Sequence, residues 1–412
     1  MNPSSSADHL AVRLQSPDGT QHSVGVLHRS RDYSWFESNS EYWETPDRPI
    51  LGQVFEQQGR SWRPSSNVRL PRWFSHLLPE GRLRDAIATS VGVKPDREFA
   101  LLQRIGGDDL PGALRIYESD EDGSPPAQTI EATETSHDEP SVLKFSLAGV
   151  QLKFSVRSTD RSLSLPATSA SGNWIAKLPD PRPGFEFVPE AELAALEFAR
   201  AAGIHTVDAE LVSAHEIARL PEWAPTEGNA LLVRRYDRLG ENGRVHAEEF
   251  AQVLDIPTGR QTFKYVHANF ETIARTAAVL VGEDGLGQVI DRLVVNVIVG
   301  NGDAHTKNWS LIYPDGRNPQ LSPAYDIVPT VAYVDSDDLG MNLNGSKRFE
   351  DVRLDDFARL AEKSGANGDW GWRRAQEAVD RTLDAWPILR AALPGQLIDR
   401  LETHRGRLAL TR

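Results

Sequence analysis

A stripe of apolar residues, Val289, Ile290, Leu293, Val294, Val297 and Ile298, runs into Gly300-Asn301-Gly302 and hands over to Asp303-Ala304-His305-Thr306-Lys307-Asn308. The i, i+1, i+4, i+5 spacing is one face of a 3.6-residue helix, which predicts a buried helix up to the glycines. Gly300 and Gly302 break it, leaving Asp303, His305 and Asn308 on a loop held in place by that helix. An Asp followed five residues later by an Asn has the spacing of a kinase catalytic loop, where the Asp accepts the proton of the substrate hydroxyl and the Asn holds a metal. A further aspartate downstream, Asp326 in Tyr325-Asp326-Ile327-Val328-Pro329, is the counterpart of the residue that holds Mg²⁺ against the nucleotide phosphates. Taken alone, Asn-Gly-Asp is turn chemistry and Asn308 a helix cap, and that reading stays open on these residues.

The 412 residues suffice for a sizeable core and two or three domains. A formal net charge of −14 excludes a global basic field for nucleic acid and leaves only a local patch. No cysteine is present, which excludes disulfides, thiolate metal sites and a Cys nucleophile and fits a reducing, cytoplasmic setting. No run approaches the ~20 apolar residues of a membrane span. Met1 to Leu10 lacks the basic-then-apolar pattern of a signal peptide.

Residues 1–117 read as a small α+β unit. Leu10, Val12 and Leu14 alternate, Pro17-Asp18-Gly19 turns the chain, and Val24 and Val26 alternate again, the pattern of a hairpin. The aromatic group Tyr33, Trp35, Phe36, Tyr42 and Trp43 is expected in its core, and His76 in a structural role. Residues 118–140, acidic and rich in Ser, Thr and Pro, read as a flexible linker. A kinase-type N-lobe is assigned to 141–238 and a helical C-lobe to 239–412. In the former, Ala148-Gly149-Val150-Gln151-Leu152-Lys153 is a small-residue turn between strands that lays N–H groups over phosphates, with Lys153 adding charge. Trp174-Ile175-Ala176-Lys177-Leu178 is a short strand whose lysine pairs nucleotide phosphates or, as an edge strand, faces solvent. Pro189-Glu190-Ala191-Glu192 opens a helix whose first-turn carboxylate, Glu190 or Glu192, stands ready to hold Lys177. Leu231 to Arg238 runs from an apolar strand into charges and suits an adenine-binding hinge. Loop, strand lysine, helix glutamate, hinge, Asp with Asn at +5 and metal Asp follow one another in the order of a protein kinase.

These residues identify a resemblance. Phe74-Ser75-His76-Leu77-Leu78-Pro79-Glu80-Gly81, Ser146 to Lys153, Ile175 to Pro179, Arg235-Tyr236-Asp237-Arg238, Gly302 to Asn308 and Ala324 to Ile327 are similar to segments of the HipA family. Its members are serine/threonine-kinase toxins of HipBA toxin–antitoxin modules. The resemblance implies an α+β fold: an N-terminal subdomain, then a two-lobed kinase-like fold with an all-helical C-lobe. It implies ATP and Mg²⁺ as cofactors, Lys177 at the phosphates, Asp303 as catalytic base, and Asn308 and Asp326 as metal ligands. His305, Thr306, Lys307 and Tyr325 fall beside the nucleotide, backbone groups of Arg234, Arg235 and Tyr236 hold the adenine, and Ser146 falls on the autophosphorylated serine. Implied partners are a small DNA-binding HipB-like antitoxin, operator DNA through that antitoxin, and an aminoacyl-tRNA synthetase such as glutamyl-tRNA synthetase as acceptor. Two positions depart from the family pattern: Arg234 stands where an acidic residue is expected, and Ala191 replaces an Asn.

Two other functions compete. A phosphohydrolase would use Asp303, His305 and Asp326 as metal ligands but leaves Lys177 and the 146–153 loop without a task. A degenerate kinase acting as repressor or scaffold subunit would be free to lose Asp303, Asn308 and Asp326, which this chain retains.

Overall fold

The structure is a computed structural model that describes residues 8–107, 109–125, 152–159, 162–166, 171–240 and 242–412. Ser146, Ala148, Gly149, Val150 and Gln151, and residues 126–140 of the expected linker, lie outside the described residues.

The alternation of the first residues does produce a hairpin. β1 (His9–Gln15) and β2 (Gln21–Ser30) pair antiparallel, and the Thr20 N–H donates to the Asp18 carboxylate in the turn. β3 (Tyr33–Ser38), β4 (Ser65–Asn67) and β5 (Leu114–Glu118) complete a five-stranded sheet in the order β4-β3-β2-β1-β5. The aromatic group is only partly core. Phe36 and Tyr42 are buried, whereas Tyr33 is 45% exposed and stacks with Trp35 on the outer face. Strand side chains alternate between faces, so Tyr33 and Trp35 cannot share the inward face with Phe36.

A second antiparallel sheet, in the order β7-β6-β8-β10-β9, comprises β6 (Lys153–Thr159), β7 (Ser162–Ser164), β8 (Trp174–Lys177), β9 (Ala209–Ser213) and β10 (Asn229–Arg234). Its faces have separate tasks. Phe154, Val156, Ala176 and Leu232 join the core of the N-terminal subdomain. Ile175, Leu231 and Val233 turn the other way, toward the helix Val188–Ala201 and the C-terminal region. The sheet is thus pinned by its back to the subdomain, and its front forms one wall of a cleft.

The C-terminal region is helical, with Phe270–Leu280, Leu354–Lys363, Gly368–Asp384 and Gly395–Arg407 around Glu283–Val299. In that central helix every residue from Gly285 to Val299 except Gln288 is buried. It is not helical throughout, which corrects the expectation of an all-helical lobe. β11 (Arg238–Leu239) pairs with β12 (Gly243–Arg244), and β13 (His246–Glu249), β14 (Ser310–Tyr313) and β15 (Gln320–Leu321) form a three-stranded sheet behind the 303–308 loop. Strands of two to four residues carry too little periodicity to read from sequence. Pro387 lies in the first turn of a new helix, Trp386–Ala392, where a missing N–H costs nothing. Among the described residues no helix is long and apolar enough to cross a membrane.

Candidate active site

The buried helix ends at Gly300 in the left-handed region, φ 73°, with the Val331 side chain where a Cβ would stand. From there the loop is held by its own polar groups. Asn301 Nδ2 donates to Asn296 Oδ1 at 2.9 Å, and the Asp303 N–H donates to Asn301 Oδ1 at 3.1 Å. Thr330 Oγ1 accepts from Gly302 N, and Asn308 Nδ2 donates to the Asp303 carbonyl at 2.7 Å. Asn308 therefore ties the loop to itself instead of capping a helix. Asp303 keeps its carboxylate at the cleft, half exposed, where Oδ1 accepts from the Tyr265 hydroxyl. His305 is buried and held neutral, its pKa pushed down to about 4 by burial against the opposing charge of Asp303. Its Nδ1 accepts the Lys307 N–H at 3.2 Å, so the proton sits on Nε2, which faces Asp303 Oδ1 at 3.7 Å.

Lys153 and Lys177 stand directly opposite each other on β6 and β8. Like charges so paired repel, and here one carboxylate answers both. Asp326 accepts from Lys153 Nζ at 2.9 Å and from Lys177. It sits at a positive φ, 53°, which turns its side chain toward the lysines. Burial pushes its pKa up, but the two ammonium groups outweigh that and hold it far below the usual carboxylate range. Burial likewise works against the Lys177 charge, and Asp326 and Glu192 more than offset it, so the lysine stays protonated. β8 lies inside the sheet and Lys177 is buried, so the solvent-facing edge lysine is excluded. Glu192, not Glu190, meets Lys177, while Glu190 accepts from Asn229. Ala191 is buried behind that pair and does not prevent it.

Lys153, Lys177, Val207, Val233, Arg234, Tyr236, Glu249, Lys307, Tyr325 and Asp326 line one cavity, closed on the far side by His76, Leu77 and Gly112 of the N-terminal subdomain. Its free space is about 90 Å³, below the several hundred of a typical ligand pocket, and the Asp326–lysine pairs lie in its wall. Leu152, expected at the phosphates, accepts the Leu178 N–H with its carbonyl. Thr306 is buried and bonds the Lys264 carbonyl through Oγ1, so its side chain braces the loop. Tyr325 stacks with Tyr236 at 5.8 Å and donates to the Lys307 carbonyl.

At the expected hinge the Arg234 and Arg235 N–H groups donate to the carbonyls of Asp208 and Asn173. The Arg234 side chain points to solvent beside Asp208, so an arginine in place of an acid costs little there. Arg235, which also lines the cavity, is buried in a cluster with Asp237, Asp109 and Arg238. Asp237 accepts the Gly112 N–H at 2.7 Å, and Arg238 donates to the Gly112 carbonyl. Gly112 has φ 67° and lies against the Ala247 backbone. Arg-Tyr-Asp-Arg is thus a clamp between hinge and subdomain.

Three residues of the site carried no assignment from sequence. Tyr265 braces Asp303, and Glu80 holds both Lys307 at 2.9 Å and Lys264 at 3.1 Å. Burial pushes the Glu80 pKa up, but the two lysines hold it far below its usual range. Glu80 lies inside the Phe74 to Gly81 segment that carries the family resemblance, whereas nothing in the sequence marks Tyr265 or Lys264. His76 is structural: Nε2 bonds the Ile256 carbonyl, and burial lowers its pKa to about 3.

Asp326 and Asn308 line a common small cavity of about 10 Å³. With Asn308 Nδ2 engaged by Asp303, Asn308 Oδ1 and the Asp326 carboxylate are oxygen donors of the kind Mg²⁺ takes alongside phosphates and water, so their chemistry fits the ion. Among the described residues no three His, Cys, Asp or Glu side chains converge as a metal cage.

This is a two-lobed, kinase-like α+β fold with a cleft between a lysine-bearing sheet and an Asp-bearing loop. Residues 19–117 match the HipA N-terminal domain and residues 145–387 the HipA-like C-terminal domain, and the chain belongs to the HipA family. Two proteins of Sinorhizobium fredii that carry the word kinase in their names are similar along most of their length. Y4dM is 37% identical over 92% of this chain and 92% of its own, and Y4mE 31% over 78% and 79%. Among solved structures, the fold is shared with the HipA of a Shewanella oneidensis MR-1 toxin–antitoxin complex of HipA, HipB and operator DNA. That chain is 18% identical at a TM-score of 0.71, with 97% of this chain and 95% of the other covered.

Proposed function

We propose that the protein is an ATP- and Mg²⁺-dependent serine/threonine protein kinase, the toxin of a toxin–antitoxin module. The observation that carries the reading is the two opposed lysines, Lys153 and Lys177, gathered on Asp326 across the cleft from Asp303. That pairing makes chemical sense when phosphates take the carboxylate's place between the lysines. Asp303 accepts the proton of the acceptor hydroxyl as its oxygen bonds the γ-phosphorus and the bridging oxygen leaves with ADP. Tyr265 orients Asp303, and the neutral His305 places an N–H beside it. Asp326 and Asn308 would hold Mg²⁺, which would neutralise phosphate charge when bound. Catalysis is positioning and electrostatics more than covalent chemistry.

The 1–117, 141–238 and 239–412 units serve as docking subdomain, N-lobe and C-lobe in this reading, joined by 118–140. A small HipB-like DNA-binding antitoxin restrains the kinase and carries it to operator DNA, in keeping with the assembly of the Shewanella relative. The acceptor is a cytoplasmic aminoacyl-tRNA synthetase, and Ser146 is the self-limiting autophosphorylation site. Purified protein incubated with Mg-ATP and an extract of its native cell tests the reading by phosphopeptide mass spectrometry. Transfer to Ser or Thr hydroxyls, including Ser146, supports it. Release of inorganic phosphate alone points to a phosphohydrolase, and no ATP consumption to a degenerate kinase.

A further inference from the structure

A second cavity, of about 400 Å³, opens where the N-terminal subdomain meets the C-lobe. Its wall carries six cations, Arg69, Arg84 and Lys94 from the subdomain and Arg260, Lys264 and Lys307 from the C-lobe. Against them stand two acids of the lining, Glu80 and Asp96. Carboxylates are shared: Glu98, fully buried, takes both Arg69 and Arg84, and Glu80 takes both Lys264 and Lys307, the latter also 3.6 Å from Glu249. Lys94 and Arg260 are exposed at the rim and have no ion pair among the described residues. The Ser75 hydroxyl, in the same wall, is buried without a hydrogen-bond partner. A local excess of positive charge on a chain of net charge −14 is a built feature, because the overall field would repel an acidic partner.

The cavity is continuous with the chemistry. It shares His76 and Lys307 with the nucleotide cavity, and Lys264 is followed by Tyr265, whose hydroxyl bonds Asp303. The Lys264–Tyr265 step thus ties the wall of this cavity to the Asp303 carboxylate. We propose that this cavity is the acceptor subsite, and that it selects a protein segment with Asp or Glu close to the phosphorylated hydroxyl. Carboxylates of that segment meet Lys94 and Arg260 at the rim and compete with Glu80 for Lys264 inside. The inference rests on the kinase reading above and names its substrate class.

The test uses the full chain and the double variant K94E/R260E, whose changes lie at the exposed rim. Fluorescein-labelled hexaglutamate is titrated by fluorescence anisotropy, with hexalysine as control and a fluorescent ATP analogue as a check on the cleft. Hexaglutamate should bind wild type, weaken about tenfold in the variant, and weaken with added salt, while the ATP analogue binds both alike. In parallel, a positional-scanning library of Ser/Thr peptides is phosphorylated by both proteins, and wild type alone should enrich acidic flanks. Equal binding of hexaglutamate by both proteins, binding by neither, or an acidic preference that survives in the variant overturns the proposal. A wild type that phosphorylates peptides without enriching acidic flanks also overturns it. Loss of hexaglutamate binding in the variant with no peptide phosphorylated by either protein leaves the anion site standing and refutes the kinase reading instead.

Discussion

Glu248 joins the N-terminal subdomain to the C-lobe, and Glu248→Gln isolates what its charge costs. The carboxylate accepts from Trp73 Nε1 at 2.8 Å, from the Gln53 N–H at 3.0 Å and from the Tyr313 hydroxyl at 2.5 Å. No lysine or arginine pairs with it among the described residues. Burial outweighs the three donors and pushes its pKa from 4.5 up to about 7. For an acid raised on folding, the stability it contributes is complete below the unfolded value and is lost as pH rises through the folded one. At ~1.36 kcal/mol per pH unit between those values, the folded state gives up about 3 kcal/mol by neutral-to-alkaline pH. Neighbouring groups leave this window clear. Burial lowers His246 to about 4 and raises Tyr313 well above 10.0. Glutamine accepts the Trp73 and Gln53 N–H groups, donates to the Tyr313 oxygen and has no charge to bury. Thermal unfolding followed from pH ~5 to ~8 should show wild type falling several degrees further than the variant. Parallel curves for the two proteins would show that the carboxylate does not titrate at this junction, and the argument would fail.

Asp303→Asn retains an oxygen for Tyr265 but no proton acceptor, so phosphoryl transfer should fall by at least ~100-fold with ATP affinity nearly unchanged, as read by initial rates and nucleotide titration. Lys177→Ala strands the buried Glu192 and should lower both thermal stability and ATP affinity, the latter by about tenfold or more; an unchanged dissociation constant would remove Lys177 from the phosphate site. Asp326→Ala leaves Lys153 opposite Lys177 without the carboxylate they share and removes a metal oxygen, so activity should require much higher Mg²⁺. An Mg²⁺ titration that superimposes on wild type would refute the ligand assignment. Glu80→Gln removes the shared partner of Lys264 and Lys307, and a drop in turnover greater than any change in ATP affinity is expected, with partial recovery in Glu80→Asp.

What the sequence determined by itself was local and ordered along the chain. The 289–298 apolar stripe demanded a buried helix, Gly300 its left-handed stop, and the alternation of residues 10–26 a hairpin, because each rests on backbone periodicity or a single φ preference. The lysine strand, the helix glutamate, the Asp303–Asn308 loop and Asp326 were legible as parts in the order of a kinase, and the structure gathers Lys153, Lys177, Glu192 and Asp326 at one point. Tertiary structure alone decided which partners those parts take. Glu192 rather than Glu190 reaches Lys177 because the helix buries one face and leaves the other to Asn229. Arg235 turns into a buried clamp on Asp109 and Asp237, and its N–H is spent on Asn173, since a buried charge and a buried donor must each find a partner wherever the fold supplies one. Tyr265 on Asp303, and Glu80 between Lys264 and Lys307, join residues 38, 184 and 227 positions apart, and no periodicity reports contacts at such separations.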